Sequence, residues 1–354
     1  MYAGIKHRYC YKESKLSYQQ IISEKEIMID LSNKKVLIVR LGKIGDIIIS
    51  SFVFEVLKKR FPGIDISLFT LQSNREVLKY NSDIDHLILS KKNLYLYSKL
   101  LSLRKIFYDL VIDLNDDPST TSSIIRKIIK AHRVVGFNFT PNDSSDLFPQ
   151  PQKDKTHIID RISYLLNELG IKLSKNDIHP KLYLGTQENA DIKKQINNIK
   201  KNYKIVALNL SAGAEIRYWE IDKWIELINR IHLEIPEIIF LPLSTLEDEH
   251  LRIKIFDKVN KELLINQIYK SFHHFASYIY NSDFLISPDT AAVHIASAFN
   301  KPIVAIYPDY EWNYVSWKPL SDKFIAIKSK SNLINSVSVD EVYNAFIDIY
   351  KQTF

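Results

Sequence analysis

The sequence predicts an α/β protein with two doubly wound parallel sheets facing a central crevice, and three observations lead there. Short apolar runs alternate with amphipathic stretches of helix length through both halves of the chain, as strands joined by crossover helices do. The runs are apolar without alternation, as in Val36-Leu37-Ile38-Val39 and Phe284-Leu285-Ile286, which is how strands read when helices cover both faces of their sheet. Several end in turns of small and polar residues that open a helix, the place where open α/β sheets hold ligands.

The elements follow in order. Residues 1–33 are an extension without strong pattern, and a first domain is placed over 34–185. Its strand 36–39 is the run just quoted, and a helix over 47–61 is stopped by Pro62-Gly63. Strands are expected over 65–69, 85–88, 110–114 and 133–136, with a basic helix at 95–107 and another near 122–130. Residues 138–156, rich in Pro, Asp and Ser, read as a loop, and 158–169 as a helix closed by Gly170. A second domain is placed over 186–335. It starts with a lysine-rich helix at 189–202, followed by strand 205–210, helix 221–233, strand 237–242 and helix 247–259. A short strand near 263–265, a helix around 272–280 and the strands around 284–286 and 302–306 complete it. The segment 336–354 contains a last helix, 339–351, expected to pack back on the first domain.

Composition bounds the function. The 354 residues give room for two full cores, and 46% hydrophobic with 25% charged residues is ordinary for a globular protein. No stretch approaches the roughly eighteen apolar residues of a membrane span, and residues 1–26 lack a signal-peptide core, so a cytoplasmic protein is expected. The lone Cys10 rules out an internal disulfide framework and a Cys-based zinc site. A net charge of +7 favours acidic partners. Between Lys91 and Tyr108 the cations Lys99, Arg104 and Lys105 interleave with Tyr95, Tyr97 and Phe107, which suits an anionic membrane surface or a solvated basic face. No nucleic-acid recognition signature accompanies it, and no nucleic-acid partner is expected.

Three turns carry chemistry. In Ser287-Pro288-Asp289-Thr290-Ala291-Ala292-Val293-His294, a strand meets a helix whose free N–H groups, at the positive end of its dipole, make a phosphate or diphosphate site; an ordinary N-cap is the alternative. In Arg40-Leu41-Gly42-Lys43-Ile44-Gly45-Asp46, the glycines let the backbone turn sharply, and Asp46 stands where a helix begins. It is a candidate general base or, again, a cap. The spacing is neither a P-loop nor the three-glycine dinucleotide fingerprint, which removes the main support for a nicotinamide-dependent oxidoreductase. In Ser211-Ala212-Gly213-Ala214-Glu215-Ile216-Arg217, the arginine offers a bidentate partner for a diphosphate, while Trp219 and Trp224 read as core.

Together these motifs, in this order, resemble glycosyltransferase family 9, the ADP-heptose:lipopolysaccharide heptosyltransferases, over about Lys34 to Pro308. The resemblance implies a GT-B architecture of two Rossmann-like domains. The acceptor lies on the first and the nucleotide-sugar donor on the second. It implies an inverting heptosyl transfer in which Asp46 deprotonates the acceptor hydroxyl. On the donor side it places Arg217 and Ser211 near the phosphates and Thr290, Ala291 and Ala292 around the diphosphate, with Asp289 and His294 beside them. One acid of Glu247-Asp248-Glu249, Glu247 and Glu249 among them, is implied at the ribose. On the acceptor side it places Gly42, Lys43, Gly45, Asn115 and Asp116. It implies no cofactor and no metal, since backbone donors and Arg217 meet the leaving-group charge and a metal-binding Asp-x-Asp is missing. The implied partners are ADP-heptose as substrate and a lipid-linked or lipopolysaccharide-core acceptor at the inner membrane surface. Two departures stand out: Asp-Thr-Ala replaces the family's Asp-Thr-Gly, and Tyr307-Pro308-Asp309 replaces Phe-Gly. The competing readings are a GT-B transferase using another nucleotide sugar for capsule or glycan assembly, and a non-catalytic sugar-nucleotide-binding protein.

Overall fold

The computed structural model describes residues 29–354 apart from 92, 94, 118–119, 138–145, 149 and 268–269. Cys10, most of the extension and part of the 138–156 loop therefore lie outside the described residues.

Six parallel strands make the first sheet: β1 (Lys35–Arg40), β2 (Asp65–Leu71), β3 (His86–Ser90), β4 (Phe107–Asp113), β5 (Lys130–Gly136) and β6 (Asp146–Leu147), in the order β3-β2-β1-β4-β5-β6. Five parallel strands make the second: β7 (Lys204–Asn209), β8 (Ile238–Leu243), β9 (Phe284–Pro288), β10 (Ile303–Tyr307) and β11 (Phe324–Lys328), in the order β11-β10-β9-β7-β8. In each sheet the first strand has its successor on one side and a later strand on the other. The chain order thus reverses at β1 and β4 in one sheet and at β7 and β9 in the other, and crevices open beyond the carboxyl ends of such pairs. All three chemical turns leave these strands.

The first sheet carries helices α1 (Ile44–Ser50), α2 (Phe52–Arg60), α3 (Arg75–Leu78), α4 (Tyr95–Leu103), α5 (Thr120–Ile128) and α6 (Ile158–Glu168). The second carries α7 (Thr186–Lys200), α8 (Ile221–Glu234), α9 (Glu249–Lys258), α10 (Phe272–Asn281), α11 (Ala291–Ala298), α12 (Glu311–Trp317) and α13 (Val339–Thr353). The wholly buried β1 residues Val36 to Val39 confirm a strand covered on both faces. Gly63 and Gly170 close α2 and α6 at φ of 72° and 79°, the left-handed conformation that glycine tolerates.

Several expected elements differ. The helix over 47–61 is two helices, because the Ser51 amide and hydroxyl both turn back to the Ile48 carbonyl (3.2 and 2.6 Å) while its hydroxyl also accepts the Lys181 amide at 2.6 Å. The basic helix stops at Leu103, since Phe107 to Tyr108 already belong to β4, and β5 starts at Lys130. The loop holds the two-residue strand β6, and 263–265 is no strand but one bridge between Leu264 and Phe240. Between Pro308 and Val339, where periodicity marks nothing, stand α12 and β11.

The last helix does not return to the first domain. Its apolar face, Val342, Phe346 and Ile349, joins the second domain's core on α8 and β9 to β11, with the Phe346 ring edge-on to Phe284 at 4.9 Å.

Candidate functional site

The turn after β1 builds a carboxylate into a helix start. Lys43 is the N-cap of α1 and Asp46 its third residue, whose Oδ2 accepts the Lys43 amide at 2.8 Å. Asp46 thus does cap the helix, from inside its first turn, satisfying an amide with no partner of its own. Its Oδ1 accepts Arg40 Nη2 at 2.9 Å. This approach needs glycine at 42: a Cβ there would lie 2.5 Å from Asp46 Cβ and 2.7 Å from Oδ1. Asn74 Nδ2 holds the turn through the Gly42 carbonyl at 2.9 Å. The Asp46 side chain keeps 19% exposure, enough to meet a ligand. Burial pushes its carboxyl above the ordinary range; Arg40 opposes and nearby Asp116 adds to the rise. A carboxylate with raised proton affinity and an open edge can accept a proton from a hydroxyl.

Asn115 and Asp116, expected on the acceptor side, stand behind this turn. Asn115 Oδ1 accepts the Leu41 amide at 2.8 Å, tying the loops after β1 and β4 together. Asp116 is buried, its Oδ1 receiving Arg40 Nη1 at 3.1 Å and its Oδ2 facing Arg161 Nη1 at 3.4 Å and Lys153 Nζ at 3.7 Å. Burial alone would raise its carboxyl, but Arg40, Lys153 and Arg161 hold it below the ordinary range. Asp116 therefore acts on Arg40 and, through it, on Asp46. Sequence reasoning missed Arg40 and Arg161. Arg40 closes an otherwise apolar buried strand, and Arg161 stands on the apolar face of α6 with Ile158, Ile162 and Leu165, positions where a charge calls for a partner.

The second domain supplies the opposite wall. Thr290 is the N-cap of α11: its Oγ1 accepts the Ala292 amide at 3.3 Å and Asn209 Nδ2 at 2.9 Å. The cap reading is thus correct, and Ala291 opens the helix above it. Asp289 is buried and receives Asn313 Nδ2 at 2.7 Å. Arg217 Nη1 reaches the Asp289 carbonyl at 3.1 Å and its Oδ2 at 3.3 Å, which brings a cation that is 30% exposed to the turn where α11 begins. Burial raises the Asp289 carboxyl, against Arg217 and Asn313. Ser211 Oγ accepts the Thr245 amide at 2.8 Å, clasping the loops after β7 and β8. Of the three acids, Asp248 accepts the Tyr218 hydroxyl at 2.9 Å, Glu249 pairs with Arg252 and the Ser244 hydroxyl, and Glu247 is exposed. Trp219 and Trp224 are buried core, as expected, edge-on at 4.9 Å.

His294, expected on the donor side, packs its ring between the domains: a Cβ on Gly45 would lie 2.6 Å from His294 Cδ2. Burial, with His157 beside it, lowers its pKa to about 3, so it is a neutral spacer. Gly45 is small for the same reason, and α1 meets α11 directly. This contact joins the helix that carries Asp46 to the helix that the Ala291 turn opens. Among the described residues no three His, Cys, Asp or Glu side chains group as a metal site, and no helix is long and apolar enough to cross a membrane.

The sequence matches the model of glycosyltransferase family 9 (heptosyltransferase) over residues 98–344. It is 27% identical over 322 residues to the putative lipopolysaccharide heptosyltransferase 4 of Escherichia coli (strain K12), covering 86% of this chain and 84% of that protein. It is 26% identical over 300 residues to lipopolysaccharide heptosyltransferase 1 of Campylobacter coli, covering 77% and 83%. The fold superposes on a family 9 glycosyltransferase of Veillonella parvula DSM 2008 with a TM-score of 0.79 at 17% identity, over 92% of this chain and 99% of that one. With E. coli ADP-heptose lps heptosyltransferase II the TM-score is 0.70 at 16% identity, over 90% and 99%. By this family match and the two facing parallel sheets, the chain belongs to glycosyltransferase family 9, the heptosyltransferases, and is a glycosyltransferase of GT-B fold.

Proposed function

We propose that this enzyme transfers a heptose from ADP-heptose to a hydroxyl of a lipopolysaccharide or lipooligosaccharide core acceptor, with inversion at the anomeric carbon and without a metal. The observation that carries the reading is the partly open Asp46 carboxylate on α1, the helix that packs through Gly45 against His294 of α11, which the Ala291 turn opens. In the reaction the acceptor oxygen attacks the anomeric carbon, its proton passes to Asp46, and the bond from that carbon to the diphosphate oxygen breaks. The departing diphosphate meets the N-terminal end of α11 at Ala291 and Ala292, where it would share the Ala292 amide with the Thr290 hydroxyl, and, from Asp289, the Arg217 guanidinium. The names of the relatives, lipopolysaccharide heptosyltransferases of two bacteria, support this class of donor and acceptor.

The acceptor's lipid places the enzyme at the cytoplasmic face of the membrane. Leu87, Tyr95, Tyr97, Leu101, Ile106 and Phe107 are all exposed on the first domain. Residues 86–108 contain Lys91, Lys92, Lys99, Arg104 and Lys105 but no acid, and such a basic, aromatic surface suits anionic lipid. The structure of Lys92 lies outside the described residues. A panel of nucleotide sugars offered to the pure protein with a core acceptor tests the proposal: transfer from ADP-heptose above the others supports it, and preferred transfer from a different nucleotide sugar refutes it. Ala291, in place of the family's glycine, is the feature that such a different donor would explain.

A further inference from the structure

A second arginine, outside the crevice wall, connects the two domains to Asp46. Arg161 on α6 is fully buried, and its Nη2 donates to Ser316 Oγ on α12 of the second domain at 3.1 Å. Ser316 in turn donates to the Lys153 carbonyl at 2.9 Å. On its other side Arg161 Nη1 faces Asp116 Oδ2 at 3.4 Å, and Asp116 Oδ1 accepts from Arg40 Nη1, whose Nη2 holds Asp46. A chain of polar contacts thus runs from the Ser316 hydroxyl of the second domain through the charges of Arg161, Asp116 and Arg40 to Asp46. Two observations mark it as more than packing. Arg161 Nε and Nη1 are buried with no hydrogen-bond acceptor, an expensive placement that leaves its charge largely uncompensated except by Asp116. Arg40 is itself buried, its Nη1 shared between Asp116 and the Leu114 carbonyl and its Nη2 on Asp46, so the charge left on Asp116 bears on its hold on Asp46.

We propose that Arg161 is a positioning residue of the transfer reaction: anchored on Ser316, it holds Asp116 so that Arg40 stays on Asp46, and it thereby makes the readiness of the base depend on the docking of the two domains. The inference rests on Asp46 as the base. Arg40, Lys43 and Asp116 face Asp46, with the neutral His294 ring against neighbouring Gly45. Asp116, Arg40, Asp117 and His157 lie around Arg161, with Lys153 Nζ on the far side of Asp116, and the Lys318 carbonyl takes His157 Nε2 at 3.0 Å. With Arg161 removed, Asp116 is less neutralised and draws Arg40 away. Asp46 then loses a cation and feels a stronger anion, so it holds its proton to higher pH.

The test is the pH dependence of kcat/KM for Arg161→Met and Arg161→Lys, with thermal unfolding measured alongside. Arg161→Met is expected to move the acid limb up by about one pH unit, the scale on which a neighbouring charge moves a carboxylate, while the rate at high pH falls less than about tenfold. Arg161→Lys should return the limb most of the way. A rate lowered equally at every pH, or an unmoved limb, overturns the proposal. If Arg161→Met fails to fold, Ser316→Ala makes the same measurement, since it keeps the guanidinium and removes its anchor: an upward limb supports the proposal and an unmoved limb overturns it. Asp46→Asn, run in parallel, separates the failures. Wild-type activity in that variant means that the base assignment is wrong, whereas its inactivity beside an unmoved Arg161→Met limb means that only the relay is wrong.

Discussion

Gly42→Ala perturbs Asp46 without adding or removing any ionisable group. The new methyl would lie 2.5 Å from Asp46 Cβ and 2.7 Å from Oδ1, against the 3.5–4.0 Å of an ordinary carbon contact, so something has to move by about 1 Å. The side chain cannot simply swing aside, because the Lys43 amide holds Oδ2 and the buried Arg40 guanidinium holds Oδ1. A displacement of about 1 Å in a reacting group costs on the order of 10²-fold in rate. Loss of a hydrogen bond to a charged partner costs about 1.5–3 kcal/mol, so the Tm should also fall. Donor affinity should stay within about twofold, because the donor loops belong to the other sheet; a twofold change is only about 0.4 kcal/mol. Release of the nucleoside diphosphate at saturating substrates reads kcat, and calorimetric titration reads donor Kd. Gly213→Ala is the matched control, since a Cβ there meets nothing within 4 Å, and its Tm should not change. A Gly42→Ala enzyme with kcat within about threefold of wild type would refute the argument that this glycine exists to seat Asp46.

Three further outcomes follow from the same structure. His294 and His157, with pKa values lowered by burial to about 3 and about 4 from 6.5, are neutral in the fold, while the unfolded chain protonates as pH falls through 6.5. Stability is complete above that pH and is lost below it, by about 2 kcal/mol per histidine at pH 5; His294→Gln should flatten the fall in Tm between pH 7 and pH 5, and an equally steep fall contradicts the assignment. Transfer should survive EDTA, because the proposed phosphate contacts are Arg217 and backbone amides; loss of activity restored by Mg²⁺ would overturn this. Replacing Lys99, Arg104 and Lys105 by Ser should weaken sedimentation with phosphatidylglycerol vesicles at low salt and raise the KM for lipid-linked acceptor, at about 1 kcal/mol per cation; binding that is unaltered assigns the segment to solvent.

The sheets were legible because their strands are apolar on both faces. The runs at 36–39, 205–210 and 284–286 all became central strands, and the three polar turns fall at the carboxyl ends of strands. Elements at the margin were not: α12 is a short aromatic helix, Glu311–Trp317, and β11 is an edge strand whose residues are half-buried or exposed. Asp46, Arg217 and the Asp289 turn were visible as local motifs, and the structure brings Arg217 to Asp289 across 72 positions of sequence. What no motif could show is how groups distant in sequence neutralise one another. Arg40 and Asp116 are 76 residues apart and Arg161 and Ser316 are 155 apart. His294 shows the converse: it lies in a helix that begins at the donor turn, yet its ring faces the other domain, because side chains on one helix turn point to different neighbours.

The central claim, that Asp46 takes the acceptor's proton, is tested most directly by Asp46→Asn, which keeps the shape of the side chain and removes its basicity. Donor Kd and kcat for transfer from ADP-heptose are measured on the same preparation, with folding checked by Tm. The account predicts a donor Kd within about twofold of wild type and a kcat lower by about 10²–10⁴, the contribution of a positioned base. A kcat within about tenfold of wild type would remove Asp46 from the mechanism.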